Sequence, residues 1–205
     1  MKKVFIYMYR FLFPSPYTAT TLKTIPLAPQ PNLDWLYSLY SYHSTMGRKL
    51  LYDFKRRKDL VRDYNLAIEL ADSLKEILSE KQQYGYFLHP IIITVPLSKM
   101  SRKERGFHQV KILARYCANI IDAMYIHKAV NTTRAVQKQA LLSKKERYKN
   151  VYKAFEIKQK YIEHIAYKDV LILDDIITSG ATMEEIRRVL KSAGAREIIG
   201  VSIAH

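Results

Sequence analysis

An α/β fold with a mostly parallel sheet flanked by helices is what this chain of 205 residues predicts. Three observations carry that expectation. The runs Ile91–Val95 and Val170–Leu173 are continuously apolar and β-branched or leucine-rich, as strands covered on both faces require. Other segments carry apolar residues every three or four positions, the spacing of amphipathic helices. The two kinds alternate along the chain, which is the order of βαβ units.

Taken in order, the elements begin with an arm. Five of the seven prolines fall before residue 34, so Pro14–Pro31 reads as extended and irregular, and residues 1–35 are set apart from a domain over 36–205. Met1–Phe13 has some features of a signal peptide, but Arg10 interrupts its apolar part and Pro14 follows without a small-residue cleavage site. Tyr17 and Trp35 are expected to pack on the core. Leu60, Tyr64, Ala67, Leu70, Leu74, Ile77 and Leu78 predict a long helix over Leu60–Glu80. Ile91–Val95, bounded by Pro90 and Pro96, is a buried strand. Val110, Leu113, Ala114, Cys117 and Ile121 mark the next helix and set Cys117 on its core face as a structural thiol. Tyr125–Val130 is a further strand and Glu146–Val151 a short helix. After the strand Val170–Leu173, the positions Met183, Ile186, Val189, Leu190 and Ala193 define a helix that stops at Gly194, and Glu197–Ile203 is the last strand.

Size and composition narrow the class. A domain of this length buries roughly 70% of the surface its unfolded chain exposes and needs neither disulfides nor a structural metal. The single cysteine can form no internal disulfide and no four-cysteine zinc site, so no zinc is expected. No apolar run approaches the roughly 20 residues of a membrane span, and the chain reads as cytoplasmic.

The net charge of +15 is concentrated. Met46–Arg62 holds seven cations and two anions, Lys99–Arg115 six and one, and Arg134–Lys153 seven and one, while the rest of the chain is close to neutral. Three basic blocks on a neutral background suggest a polyanion, either nucleic acid or a phosphate-rich ligand; the alternative is three solvated faces pointing apart. Tyr40, Tyr42, Tyr52, Tyr148 and Tyr152 lie in or beside the blocks, where an aromatic ring can stack a base while Lys and Arg hold the phosphates. The nucleic-acid candidates are Lys55, Arg56, Arg57, Lys58, Arg134 and Arg147.

The segment Val170–Thr182 holds the chemistry. An apolar strand runs into Asp174 and Asp175, and a turn with Thr178, Ser179, Gly180, Ala181 and Thr182 leads into a helix. Ligands of open α/β sheets bind beyond the carboxyl ends of strands. Amides at a helix start suit phosphate, hydroxyls add donors, and Gly180 permits close approach. Carboxylates suit vicinal hydroxyls, so a ribose bearing a phosphate satisfies both halves. The competing structural reading is a capping box of Thr182 and Glu185. A P-loop and a Gly-x-Gly-x-x-Gly fingerprint are absent from the sequence.

Asp174-Asp175 followed by Thr178-Ser179-Gly180 resembles the phosphoribosyl pyrophosphate signature of type I phosphoribosyltransferases. Val95-Pro96-Leu97-Ser98, with Arg102 and Arg105-Gly106-Phe107-His108-Gln109, is similar to a signature of the ComF family of competence proteins, which includes GntX-like proteins. Arg134, Gln139, Leu142-Ser143, Arg147, Asn150-Val151 and Ala154-Phe155 resemble that family's next block, and Tyr42 with Asp53-Phe54-Lys55 an earlier one; together they cover about residues 36–205. Two features depart from the pattern. Leu12-Phe13-Pro14 is present, but Ser15–Thr20 has no Cys where many members carry a zinc module, and His108 replaces a common Asn.

The resemblance implies a type I phosphoribosyltransferase-like fold in which Asp174 and Asp175 contact ribose hydroxyls. Thr178–Thr182 would hold the 5′-phosphate, and Arg102, Lys103 and Arg105 would clamp pyrophosphate. Mg²⁺ would be carried by phosphoribosyl pyrophosphate rather than by protein side chains. It further implies a DNA-uptake protein of natural transformation that binds single-stranded DNA and phosphoribosyl pyrophosphate and works with other DNA-uptake proteins. Two alternatives stay open: an active phosphoribosyltransferase in nucleotide salvage or modification, and a regulator that binds the ligand without chemistry.

Overall fold

The computed structural model describes residues 14–29, 31, 33–97, 109–136 and 142–205. Its centre is a five-stranded, wholly parallel sheet built from β1 (Leu36–Tyr40), β2 (Ile91–Thr94), β3 (Met124–Ile126), β6 (Val170–Ile176) and β7 (Ile198–Ala204), in the order β1-β7-β6-β2-β3. Two short antiparallel strands, β4 (Val130–Thr132) and β5 (Phe155–Ile157), form a separate ribbon. The predicted α/β class with a mostly parallel sheet is thus the architecture observed. Tyr125–Val130, expected as one strand, is divided between β3 and β4, because the chain turns at His127–Lys128, where Lys128 has φ +58°.

Helices cover both faces. Against one face lie α1 (Ala19–Lys23), α2 (Thr45–Arg56), α3 (Leu60–Gln83) and α4 (Gln109–Ile120). Leu22, Leu50, Phe54, Leu70, Leu74 and Leu113 pack there with Ile92, Leu171, Leu173 and Val201 of the sheet. Against the other lie α5 (Lys144–Val151), the short α6 (Ile162–Ile165) and α7 (Ala181–Ser192), whose Met183, Ile186 and Leu190 meet Ile91, Ile93, Ile172 and Ile198. Alternate residues of β6 therefore enter opposite cores, which explains a run with no polar partner position. Cys117 lies fully buried in the first core, and burial pushes its thiol up to about 12, so it stays neutral and inert. Among the described residues no helix is long and apolar enough to cross a membrane.

The described residues of 14–31 are irregular apart from an antiparallel bridge between Leu27 and Tyr40 and α1, which starts on Thr18, whose side chain accepts from the Thr21 amide. They are also anchored. Tyr17, Leu22 and Ile25 are buried with α2–α4, the Tyr17 hydroxyl donates to Asp53 at 2.5 Å, and Asn65 donates to the Tyr17 carbonyl at 2.9 Å. Trp35 is buried in the second core, so Tyr17 and Trp35 both pack as expected. At the α2–α3 corner Arg62 is 1% exposed and donates to Asp63 at 2.8 and 3.0 Å and to the Arg57 carbonyl at 2.9 Å. Burial pushes the Asp63 carboxyl up to about 6, against the pull of that guanidinium.

At the amino-terminal edge of the sheet, Asp169 ties three segments. It accepts from the Phe87 amide at 2.6 Å, the Glu197 amide at 3.1 Å and Arg196 Nε at 2.8 Å. Burial would raise its carboxyl, but the hydrogen bonds from Arg196 and the two amides outweigh it and hold it below the usual range. The depressed group stabilises the fold fully above its unfolded pKa of about 3.9 and loses that contribution as pH falls through its folded value. Asp169→Asn should lower stability by about 1–3 kcal/mol at neutral pH, since the buried amide and the guanidinium lose a charged acceptor. In urea titrations the midpoint of the parent chain should fall more steeply than that of the variant as pH drops below about 4.

Candidate functional site

Because β6 is flanked by β7 and β2, its polar residues can emerge only where the strand leaves the sheet. Asp174 and Asp175 are its fifth and sixth residues, so the strand extends past the acids rather than ending before them. Consecutive strand residues face opposite sides. Asp175 shares the α2 side with Leu171 and Leu173, is 6% exposed, and lies 3.4 Å from Lys55 Nζ at the end of α2. Asp174 shares the α7 side with Ile172, is partly exposed, and accepts from the Asp175 amide at 2.8 Å. One acid is thus countered by a cation from another element while its neighbour faces the loop side of the sheet.

The loop Ile177–Gly180 is held from several directions. Ile177 donates its amide to Ala204 O at 3.0 Å, and its carbonyl lies 3.0 Å from His205 Nδ1. Tyr148 of α5 donates its hydroxyl to Ser179 O at 3.1 Å. Gly180 takes φ +77°, which strains any other residue, and a Cβ there would also press on Leu33 and Leu36 at 3.3 Å. Helix α7 then starts at Ala181; its N-cap Gly180 brings no side chain, and the Ala181 amide donates to Ser179 Oγ at 3.4 Å. The Thr182–Glu185 capping box is not formed; Glu185 instead accepts from Arg188 and from the Lys153 amide at 2.8 Å.

Beside the loop is a cleft of about 300 Å³. Thr178, Ser179 and Gly180 line it together with Arg147 and Tyr148 of α5 and Leu33 and Leu36 of the arm side. Ala181 is buried under the loop, and Thr182 is partly exposed on the first turn of α7. Arg102, Lys103 and Arg105 lie outside the described residues.

The six expected nucleic-acid contacts are divided by the structure. Lys55 turns to Asp175, as above. Arg56 is exposed and stacks on the Tyr52 ring at 4.5 Å, itself 53% exposed. Arg57, largely exposed, sits 3.7 Å from Asp53, and Lys58 is exposed beside it. Arg134 reaches the carbonyls of Lys149 and Tyr152 at 3.4 and 2.7 Å, closing the carboxyl end of α5. Arg147 faces the cleft, its Nε donating to Leu142 O at 3.0 Å. Tyr42, Tyr148 and Tyr152 are exposed, whereas Tyr40 is 2% exposed in the core and is no stacking platform. Sequence reasoning missed His205 and the roles of Leu33 and Leu36, which come from distant segments and carry no local motif.

Comparison with known proteins decides the family. A family model described as phosphoribosyl transferase domain matches residues 103–204. The chain is 29% identical over 149 residues to Competence protein F of Haemophilus influenzae, covering 73% of this chain and 63% of that protein. It is 30% identical over 125 residues to DNA utilization protein YhgH of Escherichia coli, covering 61% and 53%, and 26% identical over 157 residues to Competence protein ComFC of Bacillus subtilis, covering 77% and 58%. The chain belongs to the ComF family of the phosphoribosyltransferase superfamily. It spans 53–63% of the length of these relatives.

In this ComF-family chain the contact between Lys55 and Asp175 joins the first basic block to the strand that carries the acids. The pair is mostly shielded on the acid side and partly open on the lysine side, so its Coulomb attraction is only partly screened. A double-mutant cycle of Lys55→Met and Asp175→Asn, read by urea unfolding, should give a coupling of about 1 kcal/mol. Additive effects would show that the contact does not hold α2 to the sheet.

Proposed function

We propose that this chain is a ComF-like DNA-uptake protein acting in the cytoplasm with other uptake proteins, its phosphoribosyltransferase-fold domain binding single-stranded DNA and phosphoribosyl pyrophosphate. The observation that carries the reading is that residues of the first and third basic blocks meet at one edge of the sheet. Lys55 of the first block meets Asp175, and Arg147 and Tyr148 of the third meet the loop after β6. Solvated faces pointing apart would not share an edge. The names of the relatives, which speak of competence and DNA utilization, agree with this reading.

At that edge the loop amides and Arg147 suit a phosphate, and Asp174 suits sugar hydroxyls. Among the described residues no three His, Cys, Asp or Glu side chains gather to hold a metal. Mg²⁺ here would take most of its oxygens from pyrophosphate and water. The second reading, an active phosphoribosyltransferase in salvage or modification, is favoured by the presence of both acids beside the loop. In that reaction pyrophosphate leaves C1 of the ribose, and a carboxylate facing the ring offsets the charge that develops there.

Fluorescence anisotropy with labelled single-stranded DNA tests the first reading. Binding should weaken with salt, and changing Arg56, Arg57 and Lys58 to Gln should flatten the log–log slope by about 0.7 for each phosphate left without its cation. No binding at moderate salt would refute it. For the second reading, Asp174→Asn with Asp175→Asn should abolish pyrophosphate release with any nucleobase that supports it in the parent chain; equal turnover in both would remove the acids from the chemistry.

A further inference from the structure

Helix α2 has two faces of opposite kind. Leu50, Leu51 and Phe54 are buried in the first core, and Ser44 caps the first turn by accepting from the Gly47 amide at 2.9 Å, so the element is held firmly. On the outer face Arg48 and Lys49 stand four and three residues before Tyr52, and Arg56 stands four after it. Residues at those spacings are neighbours on a helix, and all four are exposed. The helix's sole acid, Asp53, is buried, accepts from the Tyr17 hydroxyl and lies 3.7 Å from Arg57. The outer face carries three cations around one aromatic ring and no carboxylate of its own helix.

The ring is prepared for a further stacking partner. The Arg56 guanidinium lies 4.5 Å from the Tyr52 ring centroid and donates through Nη1 to the Tyr52 hydroxyl at 3.1 Å, which fixes the direction of the ring. Other guanidinium–ring pairs among the described residues serve the fold. Arg62 beside Phe54 and Arg187 beside Trp35 sit on buried rings, and Arg196 over Tyr86 is bound to Asp169. Arg56 pairs with an exposed ring instead, so ring and charge are both open to a ligand. A cationic face alone attracts single strands and duplexes alike. A ring adds a contact that only an unpaired base can meet, because duplex bases are already stacked on one another.

We propose that the outer face of α2 is a base-stacking platform for single-stranded DNA: an unpaired base extends the Tyr52–Arg56 stack, and Arg48 and Lys49 hold the neighbouring phosphates. This rests on the DNA-binding reading above, locates that binding on α2 outside the cleft, and makes Tyr52 the residue that separates single strands from duplex. The charge of the face fits any polyanion; the exposed, oriented ring at its centre is what fits a strand with free bases.

Anisotropy on the full chain tests this with three labelled probes of one length: a single strand, the same strand made abasic, and a duplex. The abasic strand keeps every phosphate and loses only the bases. The intact strand should bind about tenfold tighter than the abasic one, as one stacked base implies. Tyr52→Leu should remove that preference without changing the salt slope or the duplex affinity, and Tyr52→Phe should retain most of it. Because the ring is exposed, both variants should keep the urea midpoint of the parent chain. Arg48→Gln with Lys49→Gln should lower the slope by about 0.7 for each cation and leave the preference in place. Equal binding of intact and abasic strands by the parent chain, a preference that survives Tyr52→Leu, or a loss that the duplex shares equally overturns the inference while DNA binding stands. Polyglutamate that binds as tightly as the intact strand assigns the face to acidic protein surfaces and overturns it as well. No binding of any probe refutes the DNA reading itself.

Discussion

Burial of β6 on both faces and both edges is the constraint from which the rest follows. With β7 on one side, β2 on the other and a helical layer above and below, the strand can carry only apolar side chains along most of its length. Polar chemistry is excluded until the chain reaches the carboxyl edge, where Asp174, Asp175 and the loop appear together. The acids emerge on opposite sides of the sheet for the same reason that Leu171 and Ile172 enter opposite cores. Lys55 then reaches one acid from α2, while α5 and the arm close around the loop from the other side.

Much of this was legible in the residues, and what was not has physical causes. The strands β2 and β6 and the helices α3, α4 and α7 announce themselves because burial on two faces, or on one stripe, writes a periodic pattern. The edge strand β1 does not, since Tyr37 and Ser38 are only half-buried and Tyr-Ser alternation resembles a loop. Helix α2 was hidden by its own charge: Lys and Arg around Leu50, Leu51 and Phe54 read as a basic block, though those three residues are buried. Three-residue strands such as β4 and β5 are too short to show any period.

The site divides along the same line. The loop was recognisable because its small, hydroxylated residues are adjacent in sequence, and so were its acids. The partners that shape it were not, because Lys55, Tyr148, His205 and Leu33 are brought in by topology. Tyr40 shows the converse error, a residue next to a basic block whose strand turns it inward. Where chemistry is local in the chain it can be read; where it is assembled by packing, only the fold supplies it.

The pairing of β1 with β7 has a consequence for how the molecule comes into being. Ser38 and Ser202, joined side chain to side chain at 2.7 Å, are 164 residues apart. Leu36 and Gly200 are opposite each other in the same register, and a Cβ on Gly200 would strike Leu36. Contacts of such sequence separation form slowly, because a long loop must close before it is rewarded. The cleft draws one wall from before β1 and another residue, His205, from beyond β7. A nascent chain emerging from the ribosome therefore has the basic blocks long before it has the cleft, and ligand selectivity waits on the closing of the sheet by β7.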